Sequence, residues 1–224
     1  MAIEVFVYVD DVKNISIADG EKYISNFEID AQIHPEVDFK THSGFVPFKI
    51  AMSAPEFLEG QTFLSGFEFY AEPYDYEQEL SAVKRRAEKP SGILAWLKEK
   101  IAPNNRETYI ASPELDAAMK KCRHAITLRL SPGDSLEIPL AFIFALYLAE
   151  HCNGVIWYAD SDAYYDVSSR DEWAGGLREF LDDLSPEGFV GYAFEGWRPE
   201  STEYADNYPN STAPGADIES TLHN

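Results

Sequence analysis

The stretch that decides the fold runs from Asp134 to Asp166 and reads DSLEIPLAFIFALYLAEHCNGVIWYADSDAYYD. Its middle, Leu140–Ala149, is apolar on almost every side, and a helix of that composition must be covered by neighbouring elements. Val155–Tyr158 follows as a short apolar run typical of a buried strand. The pattern therefore predicts a buried helix and a buried strand at the centre of one unit.

Residues at both ends of this helix indicate its boundaries. Asp134 or Ser135 can act as the N-cap, because each side chain can accept a hydrogen bond from a free N–H of the first turn. Asn153 and Gly154 both accept the left-handed backbone conformation that often ends a helix. We expect a helix over residues 136–151 that ends at this pair.

The first third of the chain predicts an antiparallel β-meander. Four segments alternate or are rich in β-branched and aromatic side chains, which is typical of strands. They are Ile3–Val9, Phe27–Ile33, Val46–Met52 and Phe63–Tyr70. Asp10–Gly20, with a short extended piece at Asn14–Ile17, is interpreted as a turn region.

Helices are predicted in the middle of the chain. Asp75 can cap a first helix, and Ser91 can cap a second one that ends before residue 104. This helical pair, residues 75–103, is interpreted as an insertion or lid. Ser112 can cap a third, amphipathic helix.

The remaining elements complete an α+β fold. A strand at Ala125–Leu130 leads into the buried helix, and the strand after that helix can return as a parallel crossover or antiparallel. A last helix is predicted over Asp171–Leu184 and a last strand over Gly188–Trp197. We expect one α+β domain at residues 1–197 with a mostly antiparallel sheet, the N-terminal β-meander, the helical pair insertion and a central buried helix packed on the sheet. Residues 198–224 are interpreted as a flexible acidic tail.

The chain is strongly acidic, with a formal net charge of −21 over 224 residues. Residues 1–83 hold 16 acidic and 4 basic side chains, residues 84–129 hold 5 and 11, and residues 159–197 hold 10 and 2. Such a surface repels phosphate backbones and anionic lipids, so we expect no nucleic-acid and no membrane partner. It attracts a basic protein and speeds that encounter, although solubility alone is a competing explanation.

No segment indicates a membrane span or a signal peptide. Leu140–Ala149 is about half of the roughly 20 apolar residues that a spanning helix needs. The N-terminus, MAIEVFVYVDD, has no basic segment before its apolar stretch. Cys122 and Cys152 predict two reduced, partly buried thiols in a cytoplasmic protein, and the sequence leaves a disulfide between them open.

Catalytic, metal and cofactor signatures are weak. On the pattern of a calcium-binding loop, Asp160, Asp162 and Asp166 occupy ligand positions, but Tyr165 stands where glycine is needed for the turn. The histidines lack metal spacing, the glycines form no phosphate or dinucleotide fingerprint, and neither cysteine lies in a nucleophile motif. We therefore expect no catalytic residue, no metal and no cofactor.

The best functional signal is a mixture of acidic and aromatic side chains between residues 160 and 173. Tyrosine and tryptophan are favoured as interface anchors, and carboxylates around them suit a basic partner. Ordinary core aromatics with a solvated rim are the competing interpretation. The predicted partner-binding residues are Asp160, Asp162, Tyr164, Tyr165, Asp166, Asp171, Glu172 and Trp173.

The stretch Leu115–Asp166, and within it LAFIFALYLAEHCNGVIWYADSDAYYD, resembles the small acidic immunity proteins of bacterial polymorphic and contact-dependent toxin systems. In many of these α+β proteins a buried helix rich in alanine and leucine precedes a Gly-Val-Ile strand and an acidic turn. The resemblance implies a cytoplasmic antitoxin that binds one cognate toxin, often a basic nuclease, and blocks its active site or exit. It covers about a quarter of the chain and does not include the helices at 75–102.

Two other classes of function stay open from the sequence. One is an enzyme with a carboxylate-based site assembled from distant residues. The other is an interaction protein of a phage or secretion system. A deep pocket lined by convergent carboxylates or a histidine would favour the enzyme, and the sequence does not indicate an oligomeric state.

Overall fold

A computed structural model describes residues 3–87, 108–130, 133–159 and 163–199. The strands are β1 (Ile3–Val9), β2 (Ile29–Ile33), β3 (Gly44–Met52), β4 (Thr62–Pro73), β5 (His124–Leu130), β6 (Val155–Tyr158), β7 (Ala163–Tyr165) and β8 (Tyr192–Ala193). The α-helices of these ranges are α1 (Ile17–Ser25), α2 (Tyr76–Ala87), α3 (Pro113–Met119), α4 (Glu137–His151) and α5 (Arg170–Asp182). All the strands belong to one antiparallel sheet, which confirms the α+β class.

The strand order is β2-β3-β4-β5-β1-β6-β7, and β8 pairs with the start of β4. β2, β3 and β4 form the expected meander, whereas β1 lies outside it, between β5 and β6. Because β1 is antiparallel to both of its neighbours, β5 and β6 run parallel to each other. The parallel crossover is therefore the correct alternative for the connection from β5 through α4 to β6. The two parallel strands are not adjacent, because β1 lies between them.

The central buried helix is confirmed as α4, of which 11 residues are buried. The Phe144 side chain is fully buried, and its ring centroid lies 5.2 Å from that of Phe39 and 5.3 Å from that of Phe67. Phe48 contacts the same ring edge-on at 6.3 Å. An apolar helix is stable here because aromatic side chains cover it.

Helices cover both sides of the sheet. The inner side, which α4 occupies, also receives α1 and α5 through the buried residues Tyr23, Ile24, Ala174, Leu177 and Leu181. The outer side receives α2 and α3 at one end, where Leu80 and Met119 pack on Tyr8 and Val155. Because strand side chains alternate, β1 sends Val5, Val7 and Val9 inward and Phe6 and Tyr8 outward.

The caps predicted for two helices are present. The Asp75 Oδ1 atom accepts hydrogen bonds from the N–H groups of Glu77 and Gln78 at 3.0 and 3.1 Å. The Ser112 hydroxyl accepts one from the Leu115 N–H at 3.2 Å. The second helix of the expected pair, and the tail from residue 200 onward, lie outside the described residues.

The start of α4 differs from the expectation. Leu136 occupies the N-cap position and makes no side-chain cap. Asp134 accepts the N–H of Leu136 at 2.8 Å, and the Ser135 hydroxyl accepts the N–H of Val190 at 2.9 Å. The prediction that Asp134 or Ser135 caps the helix is wrong because Asp134 is bonded in the turn before the helix and Ser135 is bonded to Val190. The predicted end is correct, since Asn153 has a φ of 50°.

Two segments were assigned wrongly from sequence. Residues 17–20, expected as the end of the turn region Asp10–Gly20, belong to α1 (Ile17–Ser25), which Ser16 caps by accepting the Asp19 N–H at 3.4 Å. The expected strand at 188–197 is reduced to Tyr192–Ala193. Beyond it the chain turns so that Trp197 packs edge-on against His34 at 5.0 Å.

Within the described ranges, no helix has the length and apolar character needed to cross a bilayer.

Cys122 and Cys152 are both buried and free, so the disulfide that the sequence left open is not formed. Burial raises the pKa of each thiol to about 11. We expect the native protein at pH 7.5 to react about 100-fold more slowly with a thiol reagent than a free cysteine does, because thiolate is the nucleophile. The check is the rate of disulfide-exchange labelling before and after unfolding in urea; equal rates would contradict it.

Candidate interaction surfaces

Tyr164 and Tyr165 point to opposite sides of the sheet because β7 is a strand. In the pairing with β6, Tyr164 lies opposite Trp157 and Tyr165 lies opposite Ile156. Successive side chains of a strand alternate between its two faces. The predicted partner-binding residues therefore do not form one continuous surface.

On the outer side, three half-buried aromatic rings form a row across β1, β6 and β7. The Tyr164 ring stacks on Trp157 at 5.8 Å with an interplanar angle of 12°. The Trp157 ring stacks on Phe6 at 4.8 Å and 27°. The three rings pack against the buried apolar cluster that α2 and α3 form on this side of the sheet. The Tyr164 side chain therefore has a packing role.

On the inner side, Tyr165 and Trp173 join α5 to the rest of the fold. The two ring centroids lie 4.4 Å apart, and the Trp173 ring also lies 5.3 Å from Phe142 of α4. Both side chains are only partly exposed. Their contacts indicate a packing role that fixes the position of α5.

Asp166 caps the short turn before α5. Its Oδ1 atom accepts the Ser168 N–H at 2.8 Å and also accepts the Ser168 hydroxyl. Asp160 and Asp162 lie outside the described residues. Within the ranges that the structure covers, no three histidine, cysteine or acidic side chains are grouped as metal ligands would be.

The exposed side of α5 carries most of the acidic residues near the predicted surface. Asp171 and Glu172 are exposed, as a partner-binding role requires. Further along the helix, the exposed acids are Glu179, Asp182 and Asp183. The opposite side of α5 is its buried stripe of Ala174, Leu177 and Leu181. One face of this helix is thus acidic and solvated, and the other is apolar and packed.

The basic side chains beside this face are engaged elsewhere. Arg170 forms an ion pair with Glu150, and the Arg178 guanidinium lies 5.0 Å from the centre of the Phe27 ring. Among the residues with described positions, no ion pair involves Glu172, Glu179 or Asp183. The two arginines of α5 therefore contact Glu150 and Phe27 and form no ion pair with the acids of this face.

The predicted partner-binding residues include only part of this acidic surface. Asp171 and Glu172 belong to it, whereas Glu179, Asp182 and Asp183 were not selected. The signal that could have found the missed acids is helical spacing, because residues 172, 176, 179 and 183 recur on one face of a helix.

No protein-family model, curated protein or solved structure matches the chain.

A recess of about 250 Å³ lies where α1, α4 and α5 meet. Its lining residues are Asp19, Lys22, Tyr23, Asn26, Glu150, His151 and Arg170. The Tyr23 hydroxyl donates to Glu150 Oε1 at 2.7 Å, and Arg170 pairs with the same oxygen. Burial, followed by the bond to Glu150, raises the pKa of Tyr23 to about 12. The recess therefore contains a network that joins α1, α4 and α5. The Glu150 carboxylate is engaged by both Tyr23 and Arg170.

Proposed function

We propose that this chain is an immunity-type antitoxin, a cytoplasmic bacterial protein that binds one cognate basic toxin and blocks its activity. The observation that supports this most is the acidic face of α5, where Glu172, Glu179 and Asp183 are exposed and form no ion pair with any residue whose position is described. The net charge of −21 strengthens the same field over longer distances.

A basic nuclease is the toxin class that this face suits best. A nuclease must present cationic side chains to bind the phosphates of its substrate. A rigid helix with carboxylates on one face competes for those side chains, and a protein with this charge is itself repelled by nucleic acid. Binding at the substrate groove would inhibit the toxin without any chemical step by the antitoxin.

The test begins with co-purification from the source cell to identify one basic protein that binds the chain. The purified pair is then mixed in equal amounts, and the toxicity or nuclease activity of the partner is measured. The proposal expects activity to disappear at a one-to-one ratio. Full partner activity in the complex, or turnover of a small compound by this chain, would contradict it.

Charge reversal on α5 is expected to slow association with the basic partner. Changing Glu172, Glu179 and Asp183 together to lysine should lower the association rate constant about 10- to 100-fold at low salt, because electrostatic steering is lost. The loss should shrink at high salt, where the charges are screened. Stopped-flow kinetics at two salt concentrations provide the measurement.

The matched control reverses three exposed acids on the other side of the sheet, namely Glu72, Glu77 and Glu114. This variant has the same net charge as the α5 variant. An equal loss of rate in both would show that net charge, and not the α5 face, governs the encounter. Asp166 is unsuitable for such a test because its carboxylate caps a turn.

A further inference from the structure

α5 has a straight solvent-facing strip that we name the acidic strip, formed by Glu172, Gly175, Gly176, Glu179 and Asp183. These positions follow the i, i+3, i+4, i+7 and i+11 spacing of one helix face. At about 1.5 Å per residue the strip is roughly 16 Å long. It lies opposite the buried stripe of the helix, so it is the face that α5 presents to solvent.

The two glycines in the acidic strip have no packing reason within the described fold. Glycine is a poor helix former, and these two occupy the middle of a 13-residue helix. A Cβ atom added at Gly175 or Gly176 would meet no heavy atom within 4 Å, and neither residue has a left-handed backbone. By contrast, a Cβ at Gly20 of α1 would lie 3.1 Å from the Phe144 ring. Residues that lower the stability of a helix and make no compensating contact within the protein are typical of a functional surface.

Phe180 flanks the acidic strip one turn after Gly176. Its side chain is 40% exposed, which makes it one of the few large apolar side chains exposed in the described part of the chain. Aromatic side chains at the centre of an interface often act as anchors, and surrounding charges form its rim. A Cβ atom at either glycine would meet no heavy atom within 4 Å, so no described side chain covers the glycine pair.

We infer that the acidic strip is the docking site for a basic amphipathic helix of the partner protein. The partner helix lies along Gly175 and Gly176, where missing side chains let two helices approach closely. One of its apolar side chains packs on Phe180, and its lysine or arginine side chains reach the strip's carboxylates. A second copy of this chain does not fit this site, because the carboxylates of its own acidic strip would face those of the first copy and repel them.

This inference rests on the proposed function, and its test uses a defined probe. The probe is a synthetic helix of about 18 residues, or five turns, with alanine and leucine on one face and lysine on its flanks. A scrambled peptide of the same composition has the same charge but no apolar face. We expect the ordered peptide to bind the full chain at least tenfold more tightly than the scrambled one, measured by titration calorimetry.

The decisive variant replaces both Gly175 and Gly176 with alanine. Alanine is the better helix former, so the melting temperature should rise. The two new methyl groups should hold the probe away from α5, and the tenfold preference for the ordered peptide should disappear. Phe180→Ser is expected to weaken binding of the ordered peptide as well, while the control reversal of Glu72, Glu77 and Glu114 keeps the preference.

Two outcomes would overturn the inference. An unchanged preference in the double alanine variant would show that the glycines do not form the docking site. A lowered melting temperature would show that the fold itself requires them. In either case toxin neutralisation by the wild-type chain would still support the proposed function, whereas its absence would remove that function whatever the peptide results.

Discussion

Replacing Asp116 with alanine is expected to lower the free energy of unfolding by about 4 kcal/mol, because one buried and two partly buried donors lose their acceptor. Asp116 is 1% exposed and lies in the first turn of α3. Its Oδ2 atom accepts the Tyr76 hydroxyl at 2.6 Å and the Ile110 N–H at 3.0 Å. Its Oδ1 atom accepts the Ala111 N–H at 2.9 Å. This one carboxylate joins α2, α3 and the loop before α3.

The control for this prediction is Asp116→Asn. An amide has one accepting oxygen. If this oxygen takes the place of Oδ2, it keeps the bonds from Tyr76 and Ile110, and the amide NH₂ group then faces the Ala111 N–H, where no hydrogen bond can form. We expect about half of the loss seen with alanine. Urea denaturation followed by circular dichroism gives both values, and a loss below about 1 kcal/mol for alanine would contradict the buried-acceptor account.

The second large effect is expected from Phe144→Ala, which should also cost about 4 kcal/mol, within the range for large-to-small changes in a core. The Phe144 ring lies among Phe39, Phe48 and Phe67 and close to Gly20 of α1. Removing it leaves a cavity at the point where α4 joins the sheet and α1. The measurement is the same urea titration, with the midpoint and the slope recorded separately.

Phe144→Leu is the matched control, since it keeps an apolar side chain that fills most of the space. It should cost about 1–2 kcal/mol. A leucine variant as unstable as the alanine variant would mean that ring stacking, and not cavity size, dominates. An alanine variant that loses less than about 2 kcal/mol would mean that the core collapses around the gap.

Much of the architecture could be predicted because it follows from local periodicity. Leu140–Ala149 of α4 is apolar on almost every side and is followed by the helix-ending pair Asn153 and Gly154, and its burial follows from that pattern. β1 was located at its observed bounds because the run is short, apolar and β-branched. The place of β1 between β5 and β6 could not be predicted, since strand order is decided by long-range packing.

α1 was missed because a tertiary contact overrides its local sequence signals. Ile15 and Ile17 alternate like a strand, and Gly20 lowers helix propensity. Glycine is favoured at this position because any larger side chain would press on Phe144 of α4. The Ser16 cap was the available signal for a helix start, and it was not used.

The surface predicted around residues 160–173 was only partly informative for a similar reason. Tyr164 and Tyr165 were both predicted as partner-binding residues of one mixture of acidic and aromatic side chains. Once β7 is recognised as a strand, alternation separates them onto different sides of the sheet. The two glycines of α5 lower its helix propensity, and only the fold shows that both face open space.

Hydrogen–deuterium exchange on the complex with its basic partner shows where the contact lies, because it reports which backbone segments become protected. The proposal is that this chain acts by presenting the acidic face of α5 to another protein. It predicts slower exchange in residues 170–183 on binding and unchanged exchange in α2 and α3. Protection confined to α2 and α3, with α5 unchanged, would contradict it.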